Sequence, residues 1–274
     1  MKTCQDSRRA PIPVASDLDN CIVAGDAMVL KTDYAMLERL TRGSLPWNYH
    51  HFVGVHGGKT FEQIIRDTRD ELGLSRDEAT LQHWVGEELE HVLAAIQRGE
   101  LTEVSGAAGV IRELVGGGRD VVVVSSSHRR RVEASLTAVG LSDSIPSASV
   151  KSAQSDYFPP RPKPDPSCYI DMTLQRMAHD AAGAWAIEDS VSGLVAAAGA
   201  RDVLQEQLAE RGFHFSIIWF TGMVEPEHYA QWKQRAIDLK VPFEVASWQE
   251  IPHLFELVES GKKAEALERY GLHR

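Results

Sequence analysis

The chain has 274 residues, 43% of them hydrophobic and 25% charged, with a formal net charge of −10. That length supports one sizeable core plus a smaller unit. The acid excess excludes a general nucleic-acid binder, which needs a basic face, but leaves room for a local basic pocket that takes a small anion. Three cysteines, Cys4, Cys21 and Cys168, are too few and too widely spaced for a disulfide framework or a zinc site. They point to a reducing cytoplasm. The opening "MKTCQDSRRAPIP" has no long apolar stretch, so no secretory leader is expected, and no run is long enough to span a membrane.

In chain order the first strand signal is "IPVAS" at 12–16, followed at once by Asp17 and Asp19. Side chains alternate along a strand, so these two carboxylates would share a direction and repel. From about 28 to 98 strand signals nearly vanish. "DYAMLERLTRG", "TFEQIIRDTRDELGL" and "RDEATLQHWVGEELEHVLAAIQRG" read as amphipathic helices ending near glycine. This predicts a helical cap over 28–98, inserted into a core made of 1–27 and 99–274, with hinges at the two crossings. After it, five more strand signals follow: 120–126, 147–153, 184–189, 215–220 and 242–247. Most are continuously apolar, as parallel strands covered on both faces require. Helical segments lie between them, among them 107–114, 129–141, 165–180, 191–200 and 225–239. The predicted fold class is therefore α/β, a doubly wound, mostly parallel sheet with an inserted helical domain. "GKKAEALERYGLHR" at the C-terminal end reads as one more helix, either a plain surface element or a contact in a homo-oligomer.

Ligands of open α/β sheets bind beyond the carboxyl ends of the strands. The residues expected there are Asp17 and Asp19, then Ser125, Ser126 and Ser127 opening a helix, then Lys163 in "RPKPDP", then Glu188 and Asp189 before Ser190. Carboxylates from two strand ends suit Mg²⁺, which prefers oxygen ligands and would offset the repulsion between Asp17 and Asp19. A lysine and hydroxyls at a helix start suit a phosphate. Together they indicate phosphoryl transfer, in which a carboxylate can be the nucleophile.

Taken singly, each motif is an ordinary polar turn, helix cap or acidic first turn. Taken in order, "DLDNC", "VVVVSSS", "PKPDP" and "AIEDSVSGLVAA" resemble the four motifs of the haloacid dehalogenase superfamily. The subgroup most resembled is that of sugar-phosphate phosphatases and β-phosphoglucomutase, which carry a helical cap. The resemblance implies that Asp17 attacks phosphorus and ligates Mg²⁺. It implies that Asp19 is general acid and then base, with its backbone carbonyl on the metal. Ser125 would bond the transferring phosphoryl group, Lys163 would hold Asp17 and the phosphate, and Asp189, with Glu188, would complete the metal site.

Two departures stand out. Asn20-Cys21 replaces the family's usual Gly-Thr, with asparagine able to adopt the left-handed backbone of the turn. The stretch 200–221 is longer than usual for the subgroup.

"GVHGGKT" at 54–60 is not a Walker loop, because Val53 stands where the first glycine is needed. It is instead expected to be a cap loop that brings His56 and Lys59, and with Ser126 a substrate contact, to the site. "HRRR" at 128–131 is expected to be an exposed helix face, and the tryptophans mostly core.

The expected function is a Mg²⁺-dependent phosphatase of a small phosphorylated metabolite, working through an aspartyl-phosphate. The alternatives are a phosphomutase, disfavoured because 21–31 lacks the mutases' histidine, and a phosphonate hydrolase, for which Lys59 would be the Schiff-base lysine. An acid at position 19 argues against dehalogenation. A non-catalytic binding protein on the same fold is the third reading.

Overall fold

The computed structural model describes residues 12–176 and 183–272. The N-terminal stretch read as lacking a leader, residues 177–180 of the expected helix over 165–180, and the last two residues lie outside the described part.

Six strands form one parallel sheet: β1 (Val14–Ser16), β4 (Val121–Ser125), β5 (Val150–Ser152), β6 (Gly183–Glu188), β7 (His214–Phe220) and β8 (Phe243–Val245). Their order is β5-β4-β1-β6-β7-β8, and each of the six coincides with an apolar run read from the sequence. The runs lack polar alternation because both faces of the sheet are covered. On one face Val14, Val121, Val123, Trp185, Ile187 and Ile218 pack beneath α5 (Ala107–Gly116), α6 (Arg129–Ala138), α10 (Ile251–Glu259) and α11 (Lys263–Tyr270). On the other, Ala15, Val122, Val124, Ala184, Ala186 and Ile217 pack beneath α7 (Ser167–Arg176), α8 (Val191–Gln207) and α9 (Pro226–Asp238). The small residues of "VSGLVAAAGA" let α8 lie close on this second face.

A second, two-stranded sheet pairs β2 (Val23–Ala24) with β3 (Thr102–Glu103), antiparallel. Neither strand was legible in the sequence, since two residues carry no periodicity. The pair closes the base of the helical insertion, which comprises α1 (Asp26–Leu40), α2 (Tyr49–His56), α3 (Phe61–Thr68) and α4 (Glu78–Gln97). The insertion gathers its own apolar cluster from Leu30, Met36, Leu37, Phe52, Ile64, Ile65 and Leu81. Its start signals are side-chain caps: Asn48 accepts from His51 N–H, Thr60 forms a capping box with Gln63, and Asp77 accepts from Thr80 N–H. The helices α2 and α10 were not anticipated; both are short, at 8 and 9 residues.

The long 200–221 stretch resolves into two parts. Helix α8 continues to Gln207, and a turn ending at Gly212, with φ +63°, leads into β7. Among the described residues no helix is long and apolar enough to cross a membrane.

Candidate active site

Strand β1 lies between β4 and β6, so the chain leaves it toward opposite sides and a crevice opens past its end. Ser16 is level with Val123 on one side and Ile187 on the other. That register brings Asp17, Ser125 and Glu188 to one rim. A cavity of about 340 Å³ opens there, lined from the core by Asp17, Asp19, Ser125, Ser126, Lys163 and Asp189, and from the insertion by Lys59, Phe61 and Glu88 among others. Its size fits a small-molecule ligand.

The turn after β1 is built by hydrogen bonds from Asn20 N–H to Val23 O at 2.7 Å and from Ile22 N–H to Leu18 O at 2.8 Å. Asn20 adopts φ +54°, the left-handed conformation expected of a residue in glycine's place. Its side chain donates to Asp26 Oδ2 at 2.7 Å.

Lys163 Nζ donates to Asp17 Oδ1 and also pairs with Glu188 Oε1 at 2.6 Å. Burial works against the ammonium, but the two carboxylates outweigh it and hold Lys163 above the usual lysine range. Glu188 is fully buried and takes a second hydrogen bond, from Tyr169 Oη. A Cβ on Gly193 would overlap its carboxylate, so glycine at that point of α8 makes room for it. Burial pushes the Glu188 carboxyl up to about 7, against the pull of Lys163. Glu188 was expected among the metal ligands. Its Oε1 faces Lys163 and Tyr169, its buried Oε2 has no hydrogen-bond partner among the described residues, and a group with cation-holding spacing is formed by Asp17, Asp189 and Cys21.

Within that group burial, with Asp17 and Glu188 nearby, raises Asp189 well above the carboxylate range. Two carboxylates so close in a dry site need a positive partner, and a hard divalent cation supplies one. The donor set therefore fits Mg²⁺ at Asp17 and Asp189. Cys21 Sγ lies 4.0 Å from Asp189 Oδ1, but burial and these acids push its thiol well up, so it stays protonated and is a poor ligand for a hard ion.

Ser125 Oγ accepts from Ser127 N–H and Ser126 Oγ accepts from Lys163 N–H, each at 3.1 Å. Both hydroxyls thereby keep their protons free for a ligand in the cavity. Lys59 also lines the cavity, with its ammonium on Asp67 at 2.9 Å. His56, expected to contact substrate, does not line it. It is buried in the insertion against Trp47 and Phe52, because the apolar face of α2 that holds Phe52 also carries the residue four positions on.

Two groups of residues were missed. The first is Arg131, read as part of an exposed face. Arg129 and Arg130 do point outward, to Asp156 and to Glu90. Arg131 shares the inward side of α6 with Val132 and Ser135, and its Nη2 donates to Asp19 Oδ1 at 2.6 Å while Nη1 donates to Ser127 Oγ at 2.6 Å. A Cβ on Gly25 would overlap that same Asp19 oxygen. Burial pushes Asp19 up to about 7, with Arg131 holding it down and Asp26 and Asp17 pushing it further up. The helical period through Val132 was the available signal.

The second is a pair of tryptophans read only as core. Trp219 Nε1 donates to Asp189 O at 3.1 Å, and Trp248 Nε1 to Cys21 O at 2.6 Å. Each pins one backbone turn of the site.

The sequence matches the family model of haloacid dehalogenase-like hydrolases over residues 14–201, which spans most of the chain. The chain belongs to that family. No curated protein matches it.

Solved structures share the hydrolase's fold. A HAD hydrolase from Entamoeba histolytica is 14% identical with a TM-score of 0.68, covering 94% of this chain and 100% of its own. A HAD family hydrolase from Deinococcus radiodurans, with bound phosphate and sodium, is 19% identical with a TM-score of 0.59, covering 92% and 98%. CbbY from Rhodobacter sphaeroides, in complex with phosphate, is 18% identical with a TM-score of 0.58, covering 76% and 85%.

Proposed function

We propose that this hydrolase is a Mg²⁺-dependent phosphatase acting on a small phosphorylated metabolite. The observation that carries the reading is the meeting of Asp17, Lys163 and Asp189 in one cavity, although Lys163 stands 146 residues from Asp17 in sequence. The phosphate bound by the Deinococcus radiodurans and Rhodobacter sphaeroides relatives agrees with it.

In this reading Asp17 and Asp189, with the backbone carbonyl of Asp19, hold the ion. When bound it supplies positive charge that offsets the negative charge of the phosphoryl oxygens. Lys163 keeps Asp17 ionised and aimed, and adds its own positive charge beside the phosphoryl group. Asp17 forms a bond to phosphorus as the bond from phosphorus to the alcohol oxygen breaks. Asp19 gives that oxygen its proton. Water then attacks the phosphorus of the aspartyl-phosphate, Asp19 takes the water's proton, and phosphate leaves with Asp17 restored. A carboxyl held near 7 is well matched to that exchange. Ser125 and Ser126 donate to the phosphoryl oxygens, and the insertion limits bulk water at the reacting atoms.

Residues 21–31 contain no histidine, which favours water over a sugar hydroxyl as the final acceptor. Phosphate release over a library of phosphomonoesters, with Mg²⁺ and with a chelator, tests the reading. Release that requires the ion supports it. A chelator-resistant rate contradicts the metal assignment, and isomerisation of a hexose 1-phosphate without phosphate release supports the mutase instead.

A further inference from the structure

The wall that the insertion presents to the cavity carries acid groups without matching cations. Glu88, from α4, and Asp26, at the start of α1, line the cavity. Behind Glu88, Asp33 of α1 is fully buried, and neither of its carboxylate oxygens meets a donor hydrogen among the described residues. Its neighbour is the Glu88 carboxyl itself, within hydrogen-bond reach. Two ionised carboxyls at that spacing cannot stand alone; the pair needs a shared proton or an incoming cation. Burial raises Asp33 well above the usual range and Glu88 to about 6, against the pull of Arg131.

The cations nearby are already engaged. Lys163 serves Asp17 and Glu188, and Lys59 serves Asp67. Among the described residues Arg131 is the cation facing the acid pair; its terminal nitrogens are committed to Asp19 and Ser127, and its buried Nε–H has no partner. Burial and Arg130 lower His128, which keeps its ring neutral. The space between is apolar, walled by Val29, Leu30, Val85 and Leu89.

We propose that Glu88 and Asp26, with the Asp33 carboxyl buried behind Glu88, form a subsite for an ammonium group on the alcohol half of the substrate. The preferred substrate would then be a phosphomonoester of an amino alcohol. This rests on the phosphatase reading above. An ammonium brings three donor hydrogens to Glu88 and to the Asp26 oxygen that Asn20 leaves free, and the methylene carbons beside it suit the aliphatic walls. A small divalent ion prefers a full shell of oxygen ligands, whereas the walls beside Glu88 are largely aliphatic. A second phosphate or a carboxylate on the alcohol half would meet the carboxylates of Glu88 and Asp26.

The test uses three phosphates of nearly equal size that differ in charge at the far end: 2-aminoethyl phosphate, 2-hydroxyethyl phosphate and phosphoglycolate. p-Nitrophenyl phosphate is run beside them as a report on the phosphoryl chemistry alone. The expected order of kcat/KM is amino over hydroxyl by about tenfold, as one partly buried charge pair allows, with the carboxylate slowest. Glu88→Gln and Asp33→Asn should each cut the amino-over-hydroxyl ratio several-fold. The ratio is taken within each variant, so partial unfolding cancels. Hydrolysis of the aryl phosphate with equal or reversed rates across the three overturns the subsite and leaves the phosphatase reading standing. No release from any of the four defeats the phosphatase reading and the subsite with it.

Discussion

Arg131 Nη2 donates to Asp19 Oδ1 at 2.6 Å, joining the α6 helix to the turn that follows β1. This guanidinium both aims the proposed acid and holds its proton affinity down against burial. Arg131→Met should lower kcat by about tenfold to a hundredfold through misplacement of Asp19. It should also move the alkaline limb of the rate profile to higher pH, because an acid relieved of its cation keeps its proton longer. A pH series of kcat/KM checks this. An unmoved alkaline limb would contradict the pairing.

Lys163 is the ammonium between Asp17 and Glu188, and its side chain is only 7% exposed. Removing one member of a buried ion group leaves uncompensated charge, which costs about 3–5 kcal/mol. Lys163→Met should therefore lose about that much stability in urea, besides activity. Adding Glu188→Gln should recover part of it, since fewer charges then lack a partner. Equal stability of wild type and the single variant would refute the account of this triad.

Glu88 gives a stability profile with a definite sign. Its carboxyl titrates near 4.5 when unfolded and at about 6 when folded. Between those values the folded chain binds more protons, so stability is lost as pH rises through that window. The loss assignable to Glu88 is about 1–2 kcal/mol. Glu88→Gln should flatten that part of the curve, gaining stability over wild type at pH 8 relative to pH 4. Urea midpoints at the two pH values measure it; parallel curves for the two proteins would contradict the assignment.

The architecture was legible because its strands are short apolar runs, and because acids, hydroxyls and a lysine stand just past them. Asp17 and Asp189 could be placed together from their positions just past strand ends, Lys163 from the ordered motifs around it, and Asn20 from its tolerance of positive φ. What stayed hidden depends on direction, which composition does not encode. "HRRR" reads as uniformly basic, yet one turn of helix sends Arg130 to Glu90 and Arg131 to Asp19. His56 looked like a substrate contact in a glycine-rich loop, but it belongs to the packed face of α2. Trp219 and Trp248 looked like bulk, and only the long-range fold shows their indole N–H groups holding the site's backbone. Two-residue strands such as β2 and β3 have too few positions to show a period.

The central claim is that Asp17 carries the phosphoryl group. Asp17→Asn keeps the shape and removes the nucleophile. With Mg²⁺ and an aryl phosphate, the wild type should release phosphate and the variant should fall by at least about a thousandfold, with the difference read as lost transition-state stabilisation. A variant that turns over within tenfold of the wild type would contradict the account.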